Sequence, residues 1–201
     1  MTATLYIVRH GNTFEKGDVV TRVGGRTDLK LSPSGEAQAQ VLARHFAESG
    51  VVFASARTGP LKRTRRTAEI ILSAQAVAPE LTVDLFLREI DYGPDENRPE
   101  AEVVARIGQP ALEAWERDSL PPPGWRVDPA AVIGNWQQTV SELGKVEGAH
   151  LIVTSNGIAR FALQAAGATR ADAKLATGAY GIIEVGNGAE AVRDWNIRPA
   201  G

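Results

Sequence analysis

The chain has 201 residues, of which 43% are hydrophobic and 23% charged, a balance that suits one folded domain with a full core and a small inserted cap. A formal net charge of −2 gives the surface no field of one sign, which argues against nucleic acid or a membrane surface as a partner. The absence of cysteine excludes disulfides, thiolate metal ligands and a cysteine nucleophile. The three histidines are too scattered for a zinc site, so neither a metal nor another cofactor is expected.

The N-terminus predicts a cytoplasmic protein. It enters the apolar run TLYIV directly, without the basic and long apolar regions of a signal peptide. No apolar stretch approaches the roughly 18–20 residues of a membrane span.

The alternation of segments along the chain predicts an α/β fold. Short β-branched runs at 4–8, 51–55 and 81–87 alternate with segments of helical period at 33–49 and 61–72. Ser32 is placed to be the N-cap of the first helix, with Pro33 in its first turn. This pattern is typical of a mostly parallel sheet with helices on both faces, which is a three-layer α/β/α sandwich.

The middle of the chain, at about 88–130, breaks the alternation. A helix from about Pro99 is interrupted near Gly108 and Pro110, and PPPG marks a stiff loop. We interpret this region as a cap inserted over one edge of the sheet, within a single domain that covers 1–201.

The last third of the chain returns to alternating elements. A helix near 130–144, a strand at 150–155 and a helix from about 157 precede two strands at 180–185 and 191–195. The GNGAE between these two strands has the length of a hairpin loop, which predicts an antiparallel strand at the edge of the sheet.

Polar side chains follow the ends of four predicted strands. They are Arg9-His10, the segment from Ser55 to Arg63, Arg88-Glu89, and Ser155-Asn156-Gly157. Ligands in open α/β sheets collect at the carboxyl ends of the strands, so we expect these residues in one site. Arginines are bidentate donors for phosphate, and a helix N-terminus offers free N–H groups to an anion, which together favour a phosphate pocket. In such a pocket His10 is either a general base or a nucleophile that attacks phosphorus.

Each of these features also has an ordinary structural interpretation. Taken alone, an Arg-His pair at a strand end is more often an exposed loop pair, and a basic cluster such as that at 57–66 is more often a solvated helix face. Of Arg63 and Arg66, Arg63 is the better candidate for the phosphate pocket, because it lies in the first turn of its helix, nearer the strand ends. VGGRTD does not match a dinucleotide-binding motif, and the chain has no P-loop.

Four motifs, taken in order, resemble the histidine phosphatase superfamily, also called the phosphoglycerate mutase-like family. They are RHG after the first strand, GGRTDLKLSPSGEAQA at the first helix, GPLKRTRRTAEII, and LREIDYG. The resemblance covers about 4–95 and resumes weakly at 151–160.

The resemblance implies a phosphoglycerate mutase-like fold and a role for each matching residue. His10 corresponds to the nucleophile that takes the phosphoryl group, Arg9 and Arg63 to the arginines that clamp it, and Glu89 to the acid that protonates the leaving oxygen. The expected substrate contacts are Asn12, Arg22, Gly24 and Tyr92.

The chain departs from the family pattern at Asn156. The family has a second histidine after the fourth strand, in a run like VSHG, whereas this chain has IVTSNGIAR. Asn156 and Gly157 are still expected to bind phosphate, because an amide donates N–H without charge. Exchanging a charge-assisted bond for a neutral one costs about 1–2 kcal/mol, or roughly five- to thirtyfold in rate. His150 should lie about 20 Å away along its strand, so we expect it and His45 to be structural or surface residues.

Phosphoryl-transfer chemistry sets two further expectations. The second ring nitrogen of His10 should be held by a main-chain carbonyl of the adjacent loop, which fixes the tautomer. Glu89 must be protonated to act as an acid, so its pKa should be raised by burial or by neighbouring Asp91. The leaving-group pocket is expected to be shaped by cap residues, namely Tyr92, Arg98, Trp115 and Trp125.

These observations favour a metal-independent phosphatase that hydrolyses a small phosphorylated metabolite through a phosphohistidine at His10. A phosphoglycerate mutase remains the alternative within the enzyme class. A catalytically silent phosphate-ligand binder is the alternative from another class, because Asn156 replaces the second histidine. The partner is then a small phosphorylated substrate, with neither nucleic acid nor membrane involved, and a homodimer is left open.

Overall fold

Six strands form one sheet in the computed structural model, which describes residues 2–168, 173–186 and 189–200. The strands are β1 (Thr2–Arg9), β2 (Phe53–Thr58), β3 (Leu81–Val83), β4 (Gly148–Thr154), β5 (Tyr180–Gly186) and β6 (Ala189–Ile197). They lie in the order β3-β2-β4-β1-β5-β6. The pairs β2·β3, β2·β4 and β1·β4 are parallel, and β5 pairs antiparallel with both β1 and β6. The predicted mixed sheet with an antiparallel edge is confirmed.

The described residues also form six α-helices. They are α1 (Pro33–Glu48), α2 (Lys62–Ser73), α3 (Glu100–Ile107), α4 (Gln109–Asp118), α5 (Pro129–Leu143) and α6 (Asn156–Ala165). Ser32 is confirmed as the N-cap residue of α1, since its side chain accepts a hydrogen bond of 3.2 Å from the backbone N–H of Gly35. The predicted interruption of the middle helix is confirmed as well. There α3 ends at Ile107, and Gly108 takes a φ of +80°, which favours glycine.

The alternation of side chains along β1 builds two apolar clusters, one on each face of the sheet. Leu5 and Ile7 pack in one cluster with Trp136 of α5 and Phe161 of α6. Val8 packs in the other cluster, whose helical members are Leu42, Phe46, Ala68, Ile71 and Leu72 of α1 and α2. Burial of both faces explains why the central strands read as nearly continuous apolar runs.

Two predicted strands have different bounds in the structure. The strand predicted at 51–55 is Phe53–Thr58, so Ser55 lies inside β2 rather than at its carboxyl end. The strand predicted at 81–87 ends at Val83 and gives way to a 3₁₀ turn at Leu85–Leu87. The side chain of Asp84 starts this turn by accepting a hydrogen bond of 3.2 Å from the Phe86 N–H, a local bond that competes with strand pairing. In the predicted GNGAE loop, residues 187 and 188 lie outside the described residues.

Apolar packing fastens the middle region to the rest of the molecule, and one buried carboxylate joins its own segments to one another. Leu112 and Trp115 of α4 belong to the same cluster as Leu5 of β1. Asp95 is 2% exposed and accepts hydrogen bonds from Arg106 of α3 and from the Trp125 indole, the latter at 2.7 Å. Within the described ranges, no helix combines the length and apolar character that crossing a bilayer requires.

Two glycines let α1 start directly against the loop that follows β1. A Cβ on Gly35 would lie 2.0 Å from the Asn12 carbonyl oxygen, and a Cβ on Gly11 would lie 2.2 Å from the Gly35 carbonyl oxygen. Both obstacles are backbone atoms, which cannot move aside without shifting the helix or the loop.

We therefore expect Gly35→Ala to lower the free energy of unfolding by about 1–3 kcal/mol through overpacking. Gly134→Ala in α5 is the matched control, because a Cβ there meets open space and alanine favours a helix by about 0.5–1 kcal/mol. Urea denaturation of the two variants measures the difference. Equal stabilities would show that the two backbones do not need this close approach.

Candidate active site

A cleft of about 670 Å³ opens where β1 and β4 end side by side. Seven of the predicted site residues line it, namely Arg9, His10, Asn12, Arg22, Glu89, Tyr92 and Asn156. The other three predicted residues, Gly24, Arg63 and Gly157, are absent from the lining and lie behind it. The structure thus brings one imidazole, two carboxyl-terminal strand ends and several cations to one place.

The hydrogen bonds of His10 fix its tautomer. The ring is buried, and its Nδ1 lies 2.7 Å from the Gly11 carbonyl oxygen, as expected for a main-chain acceptor in the adjacent loop. Its Nε2 accepts a hydrogen bond of 3.2 Å from Nε of Arg63. A carbonyl can only accept and an arginine can only donate, so the proton sits on Nδ1 and the lone pair on Nε2.

The surroundings of His10 also keep it uncharged. Burial, followed by the charges of Arg63 and Arg9, holds the pKa of this imidazole well below its usual range, against an opposing contribution from the Gly11 carbonyl. At neutral pH the ring is therefore neutral, and its lone pair on Nε2 accepts the Arg63 N–H.

Arg63 is fully buried, and three hydrogen bonds hold its guanidinium. Besides His10, it donates to the carbonyl oxygens of Thr27 at 2.8 Å and of Gly24 at 3.2 Å. A Cβ at Gly24 would lie 2.7 Å from the Ile90 carbonyl oxygen and 2.2 Å from a Glu96 carboxylate oxygen, so only glycine brings this carbonyl into place. In this structure Gly24 acts through Arg63, and its carbonyl does not face the cleft.

Arg9 and Asn156 are held by the same backbone residue. Arg9 Nη1 donates to the Leu175 carbonyl oxygen at 2.7 Å, and the Leu175 N–H donates to Asn156 Oδ1 at 2.8 Å. Arg9 Nε is buried and has no hydrogen-bond partner among the described residues. Since Oδ1 is already engaged, the Asn156 amide can offer a ligand only the donors on Nδ2.

Glu89 lines the cleft and is largely buried, with both carboxyl oxygens hydrogen bonded. Oε1 accepts from the Ile90 N–H at 2.9 Å and Oε2 from the Gly157 N–H at 3.2 Å. Burial raises the pKa of this carboxyl more than those N–H groups and the nearby arginines lower it. The predicted direction is confirmed, but Asp91 is not the cause, because its carboxylate is bound to Arg26 and to a backbone N–H.

The backbone N–H of Gly157 is therefore occupied by Glu89 rather than free for a ligand. A Cβ at this position would lie 2.2 Å from Glu89 Oε1. Only glycine at the start of α6 leaves room for the buried carboxyl, which gives this residue a definite role in the site.

The cap side of the cleft carries an aromatic stack. Arg22 lies over the rings of Tyr92 and Trp125, at 5.4 Å and 5.1 Å from their centroids, and it also forms an ion pair with Glu100. Trp115 lines the cleft, whereas Trp125 supports Tyr92 from behind at 4.6 Å between ring centroids.

Arg98 and the two remaining histidines lie outside the cleft lining. Arg98 was expected to shape the pocket, but it pairs with Glu102 at 3.6 Å and is absent from the lining. His150 bonds to the Ser55 hydroxyl at 2.8 Å, and His45 bonds to the Tyr180 hydroxyl at 2.7 Å. Both histidines are structural, as predicted.

Several cleft residues were missed by the sequence reasoning. They are Thr13, Phe14, Glu15, Val20, Thr21, Val23, Glu100, Glu116, Lys174 and Thr177. Thr177 donates to the Asn12 side chain, which also bonds to Ser34. No local pattern marks these residues, since they reach the cleft from a loop, from the cap and from the segment after α6.

An α/β sheet with a neutral imidazole among arginines at its strand ends defines a protein that handles an anionic group. A sequence profile of the histidine phosphatase superfamily, branch 1, matches residues 5–198. The chain therefore belongs to the histidine phosphatase superfamily.

The similar proteins include both mutases and phosphatases. The chain is 33% identical over 136 residues to a 2,3-bisphosphoglycerate-dependent phosphoglycerate mutase of Nitratidesulfovibrio vulgaris. The aligned region covers 66% of this chain and 53% of that protein. The chain is 38% identical over 94 residues to a probable phosphoglycerate mutase GpmB of Serratia proteamaculans, which covers 47% and 41%. The chain thus spans about half the length of these relatives.

Among solved structures, a mycobacterial glucosyl-3-phosphoglycerate phosphatase superposes with a TM-score of 0.80 at 20% identity, covering 98% of this chain and 99% of that one. The α-ribazole phosphatase of Shigella flexneri superposes with a TM-score of 0.74 at 20% identity, covering 98% of both chains. At this identity the likeness establishes the fold.

The fixed amide of Asn156 yields a test that needs no turnover. Asn156→Asp keeps Oδ1 for the Leu175 N–H but replaces the Nδ2 donors with a carboxylate oxygen. We expect its affinity for inorganic phosphate to fall about tenfold or more, because a donor is lost and like charges meet. Calorimetric titration measures the affinity.

The control is Asn135→Asp, which makes the same change of charge on the exposed surface of α5. It should bind phosphate as the wild-type protein does. Equal losses in both variants would mean that the effect comes from net charge rather than from the Asn156 amide.

Proposed function

We propose that the protein is a metal-independent phosphatase that hydrolyses a small phosphorylated metabolite through a phosphohistidine at His10. The observation that carries this proposal is the lone pair on Nε2, fixed by the Gly11 carbonyl on one side of the ring and by Arg63 on the other. A histidine that only binds phosphate would do so as a charged donor, whereas a nucleophile must be neutral.

In the first step the Arg63 N–H leaves Nε2 for a phosphoryl oxygen, and the freed lone pair forms a bond to phosphorus while the bond from phosphorus to the ester oxygen breaks. Arg9 and Arg63 supply fixed positive charge for the equatorial oxygens of a loose transition state. Glu89, in the acid form that burial favours by raising its pKa, gives its proton to the leaving oxygen. The Gly11 carbonyl stabilises the positive charge that the ring acquires.

In the second step water attacks the phosphohistidine. The Glu89 carboxylate accepts a proton from that water, the bond between Nε2 and phosphorus breaks, and inorganic phosphate leaves. The ring returns to its neutral form and Glu89 to its acid form, so one pair of residues serves both steps.

In this proposal Asn156 takes the place of the family's second histidine. The amide donates to the phosphoryl group without charge, so turnover is slower than with a cationic donor, by roughly five- to thirtyfold. A silent binder would need neither a neutral imidazole nor a buried carboxyl of raised pKa, and the presence of both supports an enzyme.

The mutase alternative is favoured by one observation, the names of the relatives that match the chain. A mutase returns the phosphoryl group to its substrate, so it would interconvert 2- and 3-phosphoglycerate in the presence of 2,3-bisphosphoglycerate. Release of inorganic phosphate without that interconversion supports the phosphatase.

Other expectations from the sequence stay predictions. They are the single domain over 1–201 with an inserted cap at about 88–130, a cytoplasmic location, and a small phosphorylated substrate as partner with neither nucleic acid nor membrane involved; a homodimer is left open. The cap has support from its side chains, since Tyr92 and Trp115 line the cleft.

The test of the proposed function is His10→Ala. Wild-type protein should release phosphate from p-nitrophenyl phosphate and form an acid-labile, base-stable phosphoenzyme after brief incubation. The variant should show neither, because it lacks the nitrogen that accepts the phosphoryl group. His45→Ala is the control and should keep both, and hydrolysis that survives in His10→Ala would contradict the proposal.

The role of Glu89 predicts a dependence on the leaving group. We expect Glu89→Gln to lose about 10²- to 10⁴-fold in kcat/KM with an alkyl phosphate and much less with p-nitrophenyl phosphate, whose phenolate leaves without a proton. Comparing kcat/KM isolates the step that breaks the ester bond, because the later hydrolysis of the phosphohistidine, where Glu89 acts as the base, is common to both esters. Wild-type kcat/KM on the alkyl ester should decline as the pH rises through the raised pKa of Glu89, because only the acid form can donate. An equal loss of kcat/KM on both esters would assign Glu89 a structural role instead.

A further inference from the structure

The cap contributes no positive charge to the cleft. Besides Glu89, its lining residues are two aromatic rings and two carboxylates, namely Tyr92, Trp115, Glu100 and Glu116. Its five cations are Arg88, Arg98, Arg106, Arg117 and Arg126, and none of them lines the cleft. Arg88 donates to the Gly25 carbonyl, and the other four form ion pairs with Glu102, Asp95, Asp118 and Asp91.

Glu116 is the carboxylate best placed to meet a leaving group. It lies in the last turns of α4, and one of its oxygens is 3.5 Å from Nη1 of Arg160. The guanidinium of Arg160 is itself fixed over the Trp115 ring at 4.8 Å and donates to the Glu116 carbonyl oxygen. With its side chain 48% exposed, the held carboxylate still offers an acceptor to the cleft.

Glu116 lines the same cleft as Arg9 and His10. Its charge also adds a small rise to the pKa of Arg9, which burial lowers overall. The alcohol part of a substrate bound with its phosphate at Arg9 shares this cleft with Glu116.

The other cations of the cleft come from segments outside the cap. Lys16 and Arg22 come from the loop after β1, and Lys174 comes from the segment after α6. Arg22 reaches the cap side, where it lies over Tyr92 and Trp125, but it is already paired with Glu100. Arg9 and the buried Arg63 match a phosphoryl dianion, and the cap residues themselves offer no cation to a second anion.

We infer that the cleft selects phosphomonoesters whose alcohol carries hydroxyl groups and no negative charge, and that Glu116 determines this specificity. A carboxylate only accepts hydrogen bonds, so it pairs with hydroxyl donors and repels a carboxylate or a second phosphate. This inference rests on the proposed phosphatase function. It names the substrate class and excludes phosphoglycerates as preferred substrates.

Three esters of the same length test the inference. Glycerol 3-phosphate and 3-phosphoglycerate differ by a hydroxymethyl group in place of a carboxylate, and propyl phosphate lacks both hydroxyls. We expect kcat/KM for glycerol 3-phosphate to exceed that for each of the others by about tenfold. Glu116→Gln should reduce the ratio of glycerol 3-phosphate to 3-phosphoglycerate at least about threefold, since it removes the charge and keeps the size.

Glu113→Gln is the matched control, because Glu113 is an exposed residue of the same helix that does not line the cleft. This variant should keep the wild-type ratio. A wild-type preference for 3-phosphoglycerate, or a ratio that Glu116→Gln leaves unchanged, overturns the inference even where p-nitrophenyl phosphate is hydrolysed with dependence on His10. Absence of any His10-dependent hydrolysis overturns both the inference and the proposed function.

Discussion

The hydrogen bond from Arg63 to His10 is the contact on which the rest of the site depends. It joins a permanently charged group to an imidazole inside the protein, where both are shielded from water. A buried guanidinium is costly unless its donors are satisfied, and the carbonyls of Thr27 and Gly24 satisfy them. The loop that bears these carbonyls therefore contributes to the state of the imidazole without touching a ligand.

The sheet brings together groups that are far apart in the sequence. Arg9 pairs with Thr154 in the register of β1 and β4, so the residues after these two strands emerge side by side. The backbone N–H of Gly157 then holds Glu89, which follows β3 and the 3₁₀ turn after it. Each contact requires the backbone to approach without a side chain, which explains glycine at the start of α6 and in the loop that meets α1.

The sequence could predict the order of elements, the polar residues that follow β1 and β4, and the main-chain acceptor of His10, because these follow from periodicity and from chain proximity. It could not predict the early end of β3, where one aspartate side chain favours a turn over pairing. The sequence placed Arg63 in the site but did not predict its hydrogen bond to the His10 ring. Nothing in the sequence distinguished Glu116 from the other acidic residues of α4. Those outcomes depend on how distant segments pack.

The account stands on a neutral His10 with its proton on Nδ1. Nitrogen-15 NMR of the imidazole, assigned by comparison with His10→Ala, reads the protonation of each ring nitrogen directly at neutral pH. The account predicts a protonated Nδ1 and an unprotonated Nε2 that persist well below the usual imidazole pKa. A ring protonated on both nitrogens, or on Nε2 alone, would contradict it.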